Sequence, residues 1–176
     1  MARAYISIGS NIAPAANVLA ALELLAGNFG PLRCSGVYRT PAVGFDGEDF
    51  LNMVVGIDTA LPPLALAQRL REFEDLCGRV RGGARFAART LDLDVLTYAS
   101  EVLDSATLKL PRQEITEQAF VLGPLAEIAG HERHPVLGRA YAELWQAMRA
   151  TTPPLMRVPL PGLDDIPQLP PAGEGR

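Results

Sequence analysis

Two aspartates, Asp92 and Asp94, stand one residue apart in the run Arg89-Thr90-Leu91-Asp92-Leu93-Asp94-Val95-Leu96. Side chains of a β-strand alternate between faces, so both carboxylates project to one side while Leu91, Leu93 and Val95 point into a core. Two carboxylates at that spacing suit a hard divalent cation. Magnesium fits best, because it keeps several waters and takes one or two carboxylates together with phosphate oxygens. Four arginines precede the pair, Arg79, Arg81, Arg85 and Arg89, in a segment that also holds Gly78, Gly82 and Gly83. Guanidinium forks match phosphate oxygens bidentately. A glycine-containing loop can carry them over a metal-bound triphosphate, exclude water and offset the charge that develops during transfer. Taken singly, the aspartates read as a solvated strand face and the arginines as a basic surface loop. Side by side they indicate phosphoryl-type transfer, where positioning and electrostatics supply most of the catalysis.

The elements that must hold these groups follow from hydrophobic periodicity. Residues 4–8, 34–38, 51–57 and 91–98 read as strands. A helix follows Pro14, with Val18, Leu19, Leu22 and Leu25 on one face and a stop at Gly27-Asn28. Leu66, Leu70, Phe73 and Cys77 mark the buried face of a second helix. A third is predicted over 116–128 and a short one over 140–148, while the glycine-containing acidic segment 45–49 is a loop. The order β-α-β-β-α-β is the split βαβ arrangement of a ferredoxin-like α+β domain, an antiparallel sheet with helices packed on one face and further helices after it. From Thr151 onward the chain holds Pro153, Pro154, Pro159, Pro161, Pro167, Pro170 and Pro171. Such a stretch accommodates neither a regular helix nor a central strand. It is therefore predicted as a surface or disordered tail, 151–176, after a domain spanning 1–150.

The 176 residues suffice for one domain with a substantial core. A net charge of −4 argues against a non-specific nucleic-acid binder, and a ferredoxin-like RNA-binding module would need aromatic-rich strands that are missing here. No Gly-x-x-x-x-Gly-Lys-Ser/Thr phosphate loop is present. His131 and His134 form an H-x-x-H without cysteine partners, Cys34 and Cys77 read as buried apolar residues, and Trp145 as helix-face packing. No apolar run reaches the ~20 residues that span a bilayer, and no charged-then-apolar leader opens the chain, so the expected compartment is the cytoplasm.

Gly9-Ser10-Asn11, Tyr38-Arg39-Thr40-Pro41, Phe50-Leu51-Asn52, Gly78-Arg79-Val80-Arg81 and the run from Arg85 to Leu96 occur in that order. In this pattern, over about residues 4–130, the chain resembles the 6-hydroxymethyl-7,8-dihydropterin pyrophosphokinases of folate synthesis. The resemblance implies a monomer with a ferredoxin-like fold. It also implies transfer of the β,γ-diphosphate of ATP to the pterin hydroxymethyl group, with release of AMP. By the same resemblance Asp92 and Asp94 would hold two magnesium ions, and Arg79 and Arg89 would complete the catalytic set. Arg79, Arg81 and Arg89 would contact the phosphates, with Glu74 (on the exposed side of the second helix), Phe86, Val95, Lys109 and Arg112 also on the ATP side. Thr40, Pro41, Ala42 and Val43 would present backbone groups to the pterin, Asn52 would bond its amide edge, and Phe50 and Phe120 would sandwich its ring.

Part of the family pattern is altered. Pro-His followed by Arg-x-Phe becomes Pro111-Arg112 and Gln118-Ala119-Phe120, and a loop tryptophan becomes Phe86. Arg112 thus stands where the family's histidine touches ATP phosphates, and Gln118 lacks a positive charge. Two accounts follow: an ordinary or slower pyrophosphokinase, or a diverged paralogue that acts on another pterin or binds one with little transfer. The aspartate pair favours the enzyme, since a pure binding module needs neither carboxylate.

Overall fold

The computed structural model describes residues 1–41, 47–78 and 91–170. Strand β1 (Ala2–Ser10) leads into helix α1 (Pro14–Phe29), which opens on a proline whose missing N–H costs a first turn nothing. The short strands β2 (Arg33–Cys34) and β3 (Val37–Thr40) precede the long β4 (Phe50–Thr59). Helix α2 (Pro63–Leu76) buries Leu66, Leu70 and Phe73, and β5 (Asp92–Tyr98) follows. A small hairpin, β6 (Leu103–Asp104) and β7 (Lys109–Leu110), leads to α3 (Glu114–Glu117), α4 (Ala119–Ala129), α5 (Tyr141–Arg149) and strand β8 (Met156–Val158). The main sheet runs in the order β5-β1-β4-β3-β8, antiparallel at every pairing, with β2 also on β4.

Helices cover both faces of this sheet, not one. On one side α1 and α2 pack on Ile6, Ile8, Met53, Val55, Leu93 and Val95. On the other, Ile115, Val121, Leu122, Leu125 and Tyr141 from α3, α4 and α5 pack on Tyr5, Val54 and Leu96. The reason is legible in β4: every residue from Leu51 to Ile57 is buried, whereas a strand with one wet face would alternate. The single helix predicted over 116–128 is two pieces. Gln118 is extended between them (φ −117°, ψ 120°), and its carbonyl accepts the N–H groups of Val121 and Leu122 to start α4 afresh. His134 is buried, its Nδ1 accepting the N–H groups of Val136 and Leu137, and the Trp145 ring packs where Gly123 leaves room for it.

The proline-rich segment departs from its composition. Residues 151–170 form part of the folded body: β8 pairs with β3, Leu160 and Ile166 are buried in the α1/α2-side core, and Leu32 exchanges hydrogen bonds with Pro167 and Leu169. The prolines are tolerated because they flank β8, with Pro153, Pro154, Pro159 and Pro161 all outside its three paired residues, so none removes a donor from the ladder. Gly162, at φ 94°, lets the chain turn against Leu19, where an added Cβ would lie 2.9 Å from a leucine methyl. Among the described residues no helix is long and apolar enough to cross a membrane. If this segment is core, Ile166→Ala lowers the unfolding free energy by about 2–4 kcal/mol, measured by urea denaturation. A loss under ~0.5 kcal/mol, the size of a surface substitution, returns residues 151–170 to a peripheral role.

Candidate active site

Strand register assembles the site. Gly9 of β1 pairs with Asn52 of β4 on one side and with Asp92 of β5 on the other, and Ser7 pairs with Val54 and Asp94. Directly paired residues share a face, so Asn52, Gly9 and Asp92 form one row across three strands, with Asp94 in the next row. Neighbouring strands lie about 4.8 Å apart, which puts Asn52 and Asp92 roughly 10 Å from each other with only a glycine between. A Cβ at Gly9 would stand 3.0 Å from Asn52 Oδ1, so even a methyl group there would press on the Asn52 side chain.

Leu96 has no opposite residue in β1, because the register slips between Tyr5 and Ile6. Its carbonyl instead accepts the Arg112 N–H at 2.9 Å, which pins the segment after β7 over the aspartates. Such an extra residue in one strand commonly re-aims side chains beside a functional site. Arg112 then reaches Asp94 at 3.5 Å and grips Glu114 through two bonds of 2.9 and 3.2 Å.

Two cavities meet at this cluster. One, of about 230 Å³, is floored by Ser7, Gly9, Asn52, Asp92, Asp94 and Leu96 and walled by Arg112, Glu114, Phe120 and Val121. The other, of about 150 Å³, lies along the open edge of β5 between α2 and the β6–β7 region, lined by Arg71, Glu74, Asp92, Asp94, Val95, Thr107 and Arg112 among others. Asp92, Asp94 and Arg112 belong to both.

Burial pushes the Asp94 carboxyl up to about 7, and the charge of Asp92 adds to that, with Glu74 and Glu114 behind it and Arg112 opposing. This corner is short of positive charge among the described residues, a shortage of the kind a divalent cation relieves. Among the described residues no group of three or more His, Cys, Asp or Glu could hold a metal ion. A cation at Asp92 and Asp94 therefore needs further oxygens from water or substrate, which matches the habits of magnesium.

The remaining expected site residues divide. Glu74 is not on an exposed helix side: it is buried, and its carboxylate accepts the Leu93 N–H at 3.1 Å. Helix α2 crosses the free edge of β5, and that edge N–H needs an acceptor. Phe120 lines the larger cavity, and Phe50 shares the strand face of Asn52 two residues on. The Asn52 amide donates to Thr40 Oγ1 at 2.6 Å, and Pro41 is exposed just beyond. Val95 lines the smaller cavity, while Lys109 lines neither and pairs at 3.7 Å with Asp104 on the surface. Gln118 is exposed at the head of α4. Ala42, Val43, Arg79, Arg81, Arg85, Phe86 and Arg89 lie outside the described residues. Ser7, Leu96 and Glu114 are cavity residues that the sequence reading passed over. Only Glu114, two residues from Arg112 and of opposite charge, carried a signal that could have found it.

A carboxylate pair and an arginine shared by two adjoining clefts define a site for handling phosphoryl groups between two substrates. The 2-amino-4-hydroxy-6-hydroxymethyldihydropteridine pyrophosphokinase of Methylorubrum extorquens is 44% identical over 133 residues, spanning 73% of this chain and 84% of its own. That of Haemophilus influenzae is 38% identical over 133 residues, spanning 73% and 82%. The Plasmodium falciparum HPPK-DHPS wild type with pteroate shares the fold with a TM-score of 0.68 at 14% identity, over 85% of this chain and 42% of that one. The 7,8-dihydro-6-hydroxymethylpterin-pyrophosphokinase (HPPK) family matches residues 5–130, and the chain belongs to it.

Because the Asp94 carboxyl titrates higher in the folded state, its cost to stability is nil below its ordinary value of 3.8, grows as pH rises from there, and is full above about pH 7. The whole shift is worth about 4 kcal/mol. With 34% of the side chain exposed, water screens the interaction and leaves about 1–2 kcal/mol. Asp94→Asn therefore stabilises the metal-free protein by that amount at pH 8, and the gain fades toward pH 4. Superposed urea curves at pH 8 would sink the assignment.

Proposed function

We propose that the chain transfers the β,γ-diphosphate of ATP to 6-hydroxymethyl-7,8-dihydropterin and releases AMP, as a cytoplasmic monomer of ferredoxin-like fold. The fold label is supported by the strand order β5-β1-β4-β3 around α1 and α2. The observation that carries the function is the meeting of two clefts at Asp92, Asp94 and Arg112. The larger cleft takes the pterin. Asn52 offers its amide to the ring's donor and acceptor edge, Phe120 and Phe50 supply aromatic faces, and by the family resemblance Thr40, Pro41, Ala42 and Val43 present backbone groups to the pterin. The smaller takes ATP along the β5 edge, past Val95 and Glu74, with Arg79, Arg81, Phe86, Arg89 and Lys109 as further contacts.

Asp92 and Asp94 hold two magnesium ions, which neutralise phosphate charge and acidify the pterin hydroxyl when bound. The hydroxymethyl oxygen then bonds to the β-phosphorus as the bond from that phosphorus to the α,β-bridging oxygen breaks. AMP departs with the bridging oxygen and the hydroxyl proton is released. Arg112, fixed by Glu114 and the Leu96 carbonyl, holds positive charge where the clefts join, and Arg79 and Arg89 hold charge on the transferring group. Both aspartates face the shared site, so the alternative of a pterin binder without transfer is not favoured.

With Mg-ATP and 6-hydroxymethyl-7,8-dihydropterin the protein releases AMP, and Asp92→Ala or Asp94→Ala lowers the rate by about 1000-fold. Near-normal AMP release by either variant overturns the metal assignment, and none from the wild type overturns the reaction. A charge-assisted contact is worth about 1.5–3 kcal/mol. Gln118→Arg therefore tightens ATP binding or raises turnover by about tenfold or more. Unchanged kinetics would mean that Arg112 already meets that need.

A further inference from the structure

Strand β8 lies beyond residues 5–130, the stretch that matches the family, yet it touches the element from which the pterin-side residues hang. Strand β3 is four residues long and would be the sheet's edge if β8 did not pair with it, Val37 to Val158, Tyr38 to Arg157 and Arg39 to Met156. A clamp reinforces this pairing. Glu127 of α4 accepts the Gly36 N–H at 2.9 Å and the Tyr38 hydroxyl at 3.1 Å on one oxygen, and Arg157 Nη1 at 3.1 Å on the other. The Arg157 guanidinium lies flat where a Cβ on Gly36 would come within 2.7 Å of it. At its other end β3 stops at Thr40, which holds the Asn52 amide, and Tyr38 itself pairs with Asn52 in the ladder.

We propose that Arg157 and Glu127 are positioning residues for the pterin side: by tying β8 and α4 to β3 they set Thr40, and through it the orientation of the Asn52 amide. The inference rests on the reading of Asn52 as a pterin contact. Arg157 is 65% exposed, and exposed ion pairs contribute little to global stability. The clamp's effect is therefore local, on where β3 ends, and the substitution leaves the fold in place.

The experiment compares wild type with Arg157→Ala, Arg157→Lys and Glu127→Gln in steady-state AMP release, varying each substrate in turn. The expected result for Arg157→Ala and Glu127→Gln is a pterin KM raised about 5- to 10-fold, with ATP KM and kcat within about twofold. Arg157→Lys, which keeps the charge but not the flat packing over Gly36, recovers part of the loss. A pterin KM equal to that of wild type, or ATP and pterin KM rising together, overturns the proposal. A substrate-free measurement separates it from the fate of the transfer reaction. In ¹H–¹⁵N spectra the side-chain amide signal of Asn52 shifts in both Arg157→Ala and Glu127→Gln. An unmoved Asn52 signal overturns the positioning role even if the wild type releases AMP, and a moved signal upholds it even if no AMP forms. If Arg157→Ala fails to fold, Glu127→Gln carries the same comparison.

Discussion

The floor of this site depends on a close approach at a glycine. Gly9 sits between Asn52 and Asp92 in one row of three antiparallel strands, with the Asn52 oxygen 3.0 Å from where a side chain would begin. A side chain there would press on Asn52, which shares the larger cavity with Asp92. With no side chain there, Asn52 and Asp92 lie on one cavity floor, and their separation is set by strand spacing.

The second constraint is electrostatic. Asp92, Asp94, Glu74 and Glu114 crowd a half-buried corner against one described arginine, Arg112. Hydrogen bonds quiet part of that charge: Glu74 accepts a strand N–H, and Glu114 takes both arms of the Arg112 fork. Asp94 is left with the largest unmet demand, and its carboxyl holds its proton into the neutral range as a result. A fold optimised for stability alone would not assemble this cluster. On the proposed function the cluster is a socket that a dication and polyphosphate would complete, with free-protein stability traded for affinity toward them.

The third is mechanical. Helices pack on both faces of the sheet, and among the described residues the two clefts lie at the end of the sheet where Gly9 meets Asp92 and along the β5 edge. At the opposite edge β8 and the Glu127 clamp prevent β3 from ending in solvent. Helix α4 contributes to both ends at once, presenting Phe120 and Val121 to the cavity and Glu127 to the clamp.

The sequence by itself determined the chemistry and the alternation that exposes it. The period-two pattern of Leu91-Asp92-Leu93-Asp94-Val95 requires both carboxylates to share the face opposite Leu93 and Val95, because a strand's geometry allows nothing else. The same local rule placed Leu66, Leu70 and Phe73 on the buried face of α2. Tertiary structure decided whatever depends on partners distant in the chain. Glu74, polar and one residue past Phe73, reads as solvent-facing until β5 is laid against α2 with an N–H in need of an acceptor. Leu96 looks like any strand residue until the register with β1 skips it and frees its carbonyl for Arg112. Prolines 159, 161 and 167 exclude helix and central strand, a valid local argument, but only the free edge of β3 and the burial of Leu160 and Ile166 draw that segment into the fold. Side-chain alternation and helical periodicity are properties of a few consecutive bonds. Register, edge pairing and burial are properties of what those bonds come to lie against.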